Sequence, residues 1–199
     1  MIKHIAMLIA FLMTLWSTAG AQDFDKGLAA YEADDCKTAL KEWKPLVKQR
    51  NSAAQYYFGV MYMNGYCLAK DEKAAIKFYT LAADNGSAKA QNNLAERYEH
   101  GWSVIQDYAQ SLIYRKLAAE QGHEYAQYSL AVAYYYGESG VIKNHILAHQ
   151  KSNIAAANGH AYAVTFRKDL ETKMTKKDIS EAQAMARECM NSGYTKCGY

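Results

Sequence analysis

A single proline, Pro45, stands in the 199 residues, and no stretch is rich in proline, glycine or serine. The chain offers no obvious linker and reads as one continuous domain. The four cysteines include no Cys-x-x-Cys pair, and their spacings fit no usual zinc site. Neither sign of charge dominates: 23 basic and 20 acidic side chains leave +3, with no basic stripe interleaved with aromatics. Nucleic acid is therefore not an expected partner. After Trp16 no apolar run approaches the roughly 20 residues that a spanning helix needs.

Motifs for chemistry are equally scarce. There is no Gly-x-Ser-x-Gly elbow and no phosphate-cradling glycine loop. His123-Glu124 opens like a metalloprotease motif, but Gln127 stands where the second histidine is required. His145 and His149 have a spacing that can place two imidazoles on one metal, yet no third ligand is identifiable nearby. They read as a solvated helix face. No catalytic residue, cofactor or metal site is expected.

What the chain does have begins at its start. Lys3 and His4 precede an apolar run, Ile5 to Trp16, and Ser17-Thr18-Ala19-Gly20-Ala21 then places small residues before Gln22. This is the pattern of a cleaved signal peptide over residues 1–21, which sends the chain to the periplasm or out of the cell. Removing Lys3 with it leaves 22 basic and 20 acidic side chains, a net charge of +2.

The rest repeats at a fixed stride. Ala54, Phe58, Gly59, Tyr62, Gly65, Asp71, Ala75, Ala82, Ala83 and Gly86 recur 36 residues later as Ala90, Leu94, Ala95, Tyr98, Gly101, Asp107, Ser111, Ala118, Ala119 and Gly122. A further 36 residues give Ala126, Leu130, Ala131, Tyr134 and Gly137; one extra residue follows before Asn144, Ala148, Ala155, Ala156 and Gly159. A period of this length marks stacked helical units. Ala54, Phe58, Gly59 and Tyr62 fall on one face of a helix, which Gly65 and its equivalents end. Asp71, Asp107 and Asn144 are placed to cap a second helix. One such hairpin cannot bury its apolar stripe alone, so stacking supplies the core.

These residues, with Phe78-Tyr79, Val104 and Gly140-Val141, resemble the Sel-1-like repeat, a relative of the tetratricopeptide repeat. The resemblance implies an all-α, right-handed superhelical solenoid of helix-turn-helix repeats. The expected layout is a capping hairpin over 22–52, repeats over 53–88, 89–124 and 125–160, and capping helices with a tail over 161–199. Three departures stand out. Cys67 and Ser103 replace the second loop glycine, implying backbone strain or a different turn. Lys151-Ser152 replaces the aromatic pair, so looser or more exposed packing is expected there. Pro45 would bend or break the second capping helix.

Four cysteines allow three pairings. Stacking puts the turns holding Cys36 and Cys67 side by side, and Cys189 and Cys197 bracket a short segment that can fold back on the last helix. Cys36–Cys67 and Cys189–Cys197 are the pairs this suggests, in an exported chain where disulfides are permitted.

The resemblance also implies a function. If first helices line a concave side, Tyr56, Val60 and Met63 face it in one unit, Asn92, Glu96 and Glu99 in the next, and Tyr128, Val132 and Tyr135 in the third. That is an apolar–acidic–apolar groove for a protein or peptide ligand. Tyr31, Tyr62, Tyr98 and Tyr134 are at repeat-defining positions and belong to the core. The expectation is a monomeric, non-enzymatic scaffold of the cell envelope. The alternative is a β-lactam-binding or cell-wall hydrolysing protein of the exported cysteine-rich type. Serine β-lactamases use Ser-x-x-Lys, and no serine here has lysine three residues later.

Overall fold

The computed structural model describes residues 23–198, so the expected signal peptide lies outside the described residues. It holds ten helices and no strand among them. In chain order they are α1 (Phe24–Glu32), α2 (Cys36–Lys48), α3 (Ser52–Asn64), α4 (Glu72–Asp84) and α5 (Ala88–His100). Then follow α6 (Tyr108–Ala119), α7 (Glu124–Tyr136), α8 (His145–Ala157), α9 (Ala163–Glu171) and α10 (Lys176–Asn191). Helices pair as α1 with α2, α3 with α4, α5 with α6 and α7 with α8, and α4–α5 and α6–α7 contacts join successive pairs. The fold is an all-α solenoid of stacked hairpins.

Local signals set the helix ends. Asp35, Asp71, Asp107 and Asn144 each accept a bond from the backbone N–H three residues on, satisfying a free donor at the start of α2, α4, α6 and α8. Gly65, Gly101 and Gly137 end α3, α5 and α7 in left-handed conformation. Cys67 and Ser103 also sit at positive φ, 60° and 63°. Both turns therefore keep the glycine-type geometry, and these two side chains carry its strain.

The core of each hairpin is built by matched sizes across the two helices. A Cβ on Gly59 would lie 2.5 Å from the Tyr79 ring, and one on Gly27 would lie 2.3 Å from Trp43. Bulk on the second helix thus requires its absence on the first. Tyr62 stacks on Phe78 and Tyr98 on Tyr114, with ring centroids 5.5 and 5.9 Å apart. Tyr134 is buried, and Tyr31, Tyr62 and Tyr98 are half-buried.

A ladder of side-chain amides joins the hairpins. Gln91 Nε2 donates to the Ala83 carbonyl of the preceding unit, while its Oε1 accepts from Gln121 Nε2 within its own unit, at 3.2 and 2.7 Å. Gln127 repeats this with Ala119 and Asn158 at 3.0 and 2.8 Å. Gln55 does so with Val47 and Asn85 at 3.5 and 2.9 Å. Gln91 and Gln127 are buried, so each satisfies its own polar atoms while tying two units together.

The ends correct three expectations. α2 runs unbroken through Pro45 to Lys48. The missing N–H leaves only the carbonyl of exposed Lys41 without its helical donor, and buried Trp43 and Leu46 anchor the helix around it. Lys151 and Ser152 are not loosely packed but fully buried. The tail after α10, closed by the Cys189–Cys197 disulfide, reaches Lys151: Lys151 Nζ and Gln150 Nε2 both donate to the Cys197 carbonyl, at 2.6 and 3.2 Å, while Ser152 Oγ donates to the Ala148 carbonyl within α8. His149 is likewise buried rather than solvated, because α9 lies over it; its Nε2 is 3.0 Å from Glu171. Cys36 is bonded to Cys67, joining the α1–α2 turn to the α3–α4 turn.

Candidate functional site

The nine residues expected to line the groove fall into three structural groups. Tyr56, Val60 and Met63 on α3 are half-buried and pack against the Ala75–Leu94 cluster. The Tyr56 ring lies 5.3 Å from Tyr57 and 5.9 Å from Tyr79, and burial pushes its hydroxyl pKa up. Much of this third of the face serves packing between hairpins.

The acidic middle is divided. Glu96 is exposed, while Asn92 is buried and donates from Nδ2 to Glu96 Oε1 at 3.0 Å. Glu99 is engaged on two sides. Buried Arg115 donates to both its carboxylate oxygens, at 2.6 and 3.2 Å, and Ser139 Oγ donates to Oε1 at 2.5 Å. Burial alone would raise the Glu99 pKa, but these hydrogen bonds outweigh it and the net shift is downward. Arg115 takes the place that Tyr79 holds one unit earlier, and Ala95 takes that of Gly59. Glu99 supplies the counter-charge of Arg115.

The third group opens to solvent. Glu99, Tyr128 and Val132 come together around a cavity of about 220 Å³, with Ser129, Glu138 and Ser139 completing its wall. Tyr135 lines a second cavity of about 150 Å³ with Tyr136, Phe166 and Lys173. Phe166 links the two, edge-on to Tyr128 and to Tyr135 at 5.6 Å each. His160 stacks on Tyr128 with centroids 4.1 Å apart, and burial lowers its pKa toward the neutral form. Lys173 donates to the Tyr135 hydroxyl and lies 4.7 Å from its ring centroid. Exposed Tyr125 and Tyr162 flank the stack at His160.

His160, Phe166 and Lys173 were not singled out by sequence reasoning. Phe166 and Lys173 lie past the last full repeat, where the stride no longer assigns faces, and His160 is that repeat's final residue; the aromatic content around 160–166 was the only available signal. The histidine motifs have structural roles. His123 caps α7, its Nδ1 accepting from Ala126 N at 3.3 Å, and Gln127 belongs to the amide ladder. Burial brings the Lys151 pKa down to about 7, but this amine has no solvent exposure and is not presented to a substrate. Among the described residues no group of three or more His, Cys, Asp or Glu could hold a metal ion, and no helix is long and apolar enough to cross a membrane.

Comparison with known proteins agrees with this architecture. The family model for the Sel1 repeat matches residues 52–87, 88–123 and 124–160. A solved Sel1 repeat protein from Oxalobacter formigenes is 31% identical, with a TM-score of 0.63, over 66% of this chain and 98% of that one. A second structure is c5321, described as a protective antigen present in uropathogenic Escherichia coli strains and displaying an SLR fold. It is 25% identical, with a TM-score of 0.53, over 79% of this chain. The match spans 42% of c5321, so this chain corresponds to less than half of that protein. No match is found among curated proteins. Sel1 repeat proteins generally mediate protein–protein interactions and are generally non-enzymatic scaffolds. With three matched units covering more than half of its length, the protein belongs to the Sel1 repeat family.

Proposed function

We propose that the protein is a non-enzymatic adaptor of the cell envelope that captures a peptide or protein segment on the first-helix face of its third repeat. The observation that carries this reading is the pair of open cavities around Tyr128 and Tyr135, joined through Phe166 and edged by Glu138 and Lys173. Aromatic anchors with polar neighbours are the composition of an interface centre. The α3 and α5 positions contribute less, since Tyr56 and Asn92 are largely spent on internal packing. Two disulfides suit a periplasmic or extracellular location. The adaptor acts as a monomer, and its partner is a protein rather than nucleic acid, in keeping with the balanced charge.

Capture from envelope extract tests the assignment. The wild-type chain is compared with Tyr128→Ala/Tyr135→Ala and with Tyr56→Ala, each checked for an intact circular dichroism spectrum. The double variant should lose the specific partners and Tyr56→Ala should keep most of them. Retention of every partner by a folded double variant would exclude this face.

A further inference from the structure

The last hairpin departs from the others. Elsewhere the two helices of a unit pack along each other, but α9 and α10 both pack on α8 and scarcely touch. The sequence supplies a cause. The 37-residue step that carries Gly122 to Gly159 also carries Leu130, Ala131 and Tyr134 to Arg167, Lys168 and Glu171. The seam that would receive a partner helix is therefore charged, and dehydrating it is unfavourable. α10 instead seats Ala186 and Cys189 beside Ile154 of α8.

The gap between α9 and α10 is a cavity of about 480 Å³, within the range of about 300–1,000 Å³ for small-ligand sites. Ala156, Ala157 and Ala186 line it and leave room for a ligand to approach the helix backbones. Arg167 and Arg187 also line it, and no carboxylate does. Arg167 is held in place. Its Nη1 donates to Asn153 Oδ1 at 2.9 Å, and its Nε is 3.7 Å from Glu171 and buried without a hydrogen bond. Arg187 is exposed and makes no ion pair among the described residues. Two guanidinium groups at one cavity match a planar, hydrogen-bond-accepting anion. The alanine lining asks for apolar atoms attached to that anion, which inorganic phosphate does not have.

We propose that the cleft between α9 and α10 is a second binding site, which takes the carboxylate end of a peptide whose last side chains are small and apolar. The carboxylate bonds to the guanidinium groups of Arg187 and Arg167, and the apolar side chains cover Ala156, Ala157 and Ala186. This cleft shares no lining residue with the cavities at Tyr128 and Tyr135, so it stands or falls apart from the groove.

The test uses the disulfide-bonded chain and three probes: acetyl-Ala-Val with a free carboxylate, the same dipeptide amidated, and inorganic phosphate. Binding is followed by 15N-resolved chemical-shift titration. The free carboxylate should bind with a Kd on the order of 1 mM or tighter and shift the amides of α9 and α10. The amidated peptide and phosphate should each bind about tenfold more weakly. Arg187→Gln, at an exposed position, should weaken the free carboxylate about tenfold by removing a charge-assisted bond, and Ala157→Leu should crowd the cleft and weaken binding at least as much. Tyr128→Ala should leave the titration unchanged. Equal binding of the amidated peptide, phosphate as tight as the peptide, an unaffected Arg187→Gln variant, or no shift at about 10 mM probe would each overturn the proposal.

Discussion

Arg115 is a nearly dehydrated guanidinium, 2% exposed, whose charge is met by Glu99 at 2.6 Å. Glu99→Gln keeps the shape of that partner and removes its charge. Leaving one member of a buried pair uncompensated costs about 3–5 kcal/mol. The Glu99 side chain is 22% exposed, so water can reach part of the site and the lower end, about 3 kcal/mol, is expected. Adding Arg115→Met removes the orphaned charge and fills the same channel with apolar atoms. The double variant should regain at least half of the loss. Urea unfolding at neutral pH, followed by far-UV circular dichroism, reads both changes. With a slope of about 2 kcal/mol per molar urea, the single variant should unfold roughly 1–2 M earlier. Acid adds an independent arm. The folded Glu99 pKa is lowered, so its stabilising contribution is present above the ordinary carboxylate range and lost as pH falls through the lowered value. Glu99→Gln should lack that acid-side loss. A cost below about 1 kcal/mol, the size of a surface ion pair, together with weakened partner capture would refute this reasoning and return Glu99 to the binding face.

Other outcomes follow from the packing. Gly59→Ala drives a methyl into the Tyr79 ring, 2.5 Å away, and overpacking of this kind costs about 1–3 kcal/mol against a helix-propensity gain of about 1; a thermal melt should show net destabilisation. Burial holds the folded Lys151 pKa near 7 against 10.5 for the free side chain, so the unfolded chain keeps a proton between these values that the folded chain has shed. Stability should therefore rise with pH through that window, and Lys151→Met should flatten the rise. Above pH 10 the Tyr79 hydroxyl, raised by burial to about 12, should reverse the trend. Replacing Cys36 and Cys67 with serine should lower stability by up to about 3.7 kcal/mol, and replacing Cys189 and Cys197 by up to about 2.6, by loop-entropy scaling. Alkylation of the unfolded, unreduced chain should label no thiol.

Much of the fold is legible in the residues that recur, because a helix cap or a small-residue contact depends on neighbours a few positions away. Asp71, Gly65 and Gly59 are of this kind. The amide ladder was also written at the same stride, in Gln55, Gln91 and Gln127, but a polar residue on a helix reads as solvent-facing until its partner 30 residues on is known. Lys151, Ser152 and His149 reverse their expected exposure for a different reason. What meets His149 and Lys151 comes from α9 and from the tail near Cys197, neither of which follows the repeat. The candidate site divides in the same way: the stride placed Tyr128, Val132 and Tyr135 on one face, while Phe166, which shapes it, lies beyond the last full period and His160 is that period's final residue.

The glutamine joints bear on how such a chain can grow. Each takes one partner from its own hairpin and one carbonyl from the hairpin before it, and both are supplied by any copy of the 36-residue module. A duplicated module inserted after Gly86 would find its couplings ready made, so the middle of the array can lengthen by gene duplication without new contacts being invented. The tail has no such freedom: Tyr194 bonds to Asn158 at 2.8 Å and rests against Gly122, which ties it to the junction between the second and third repeats.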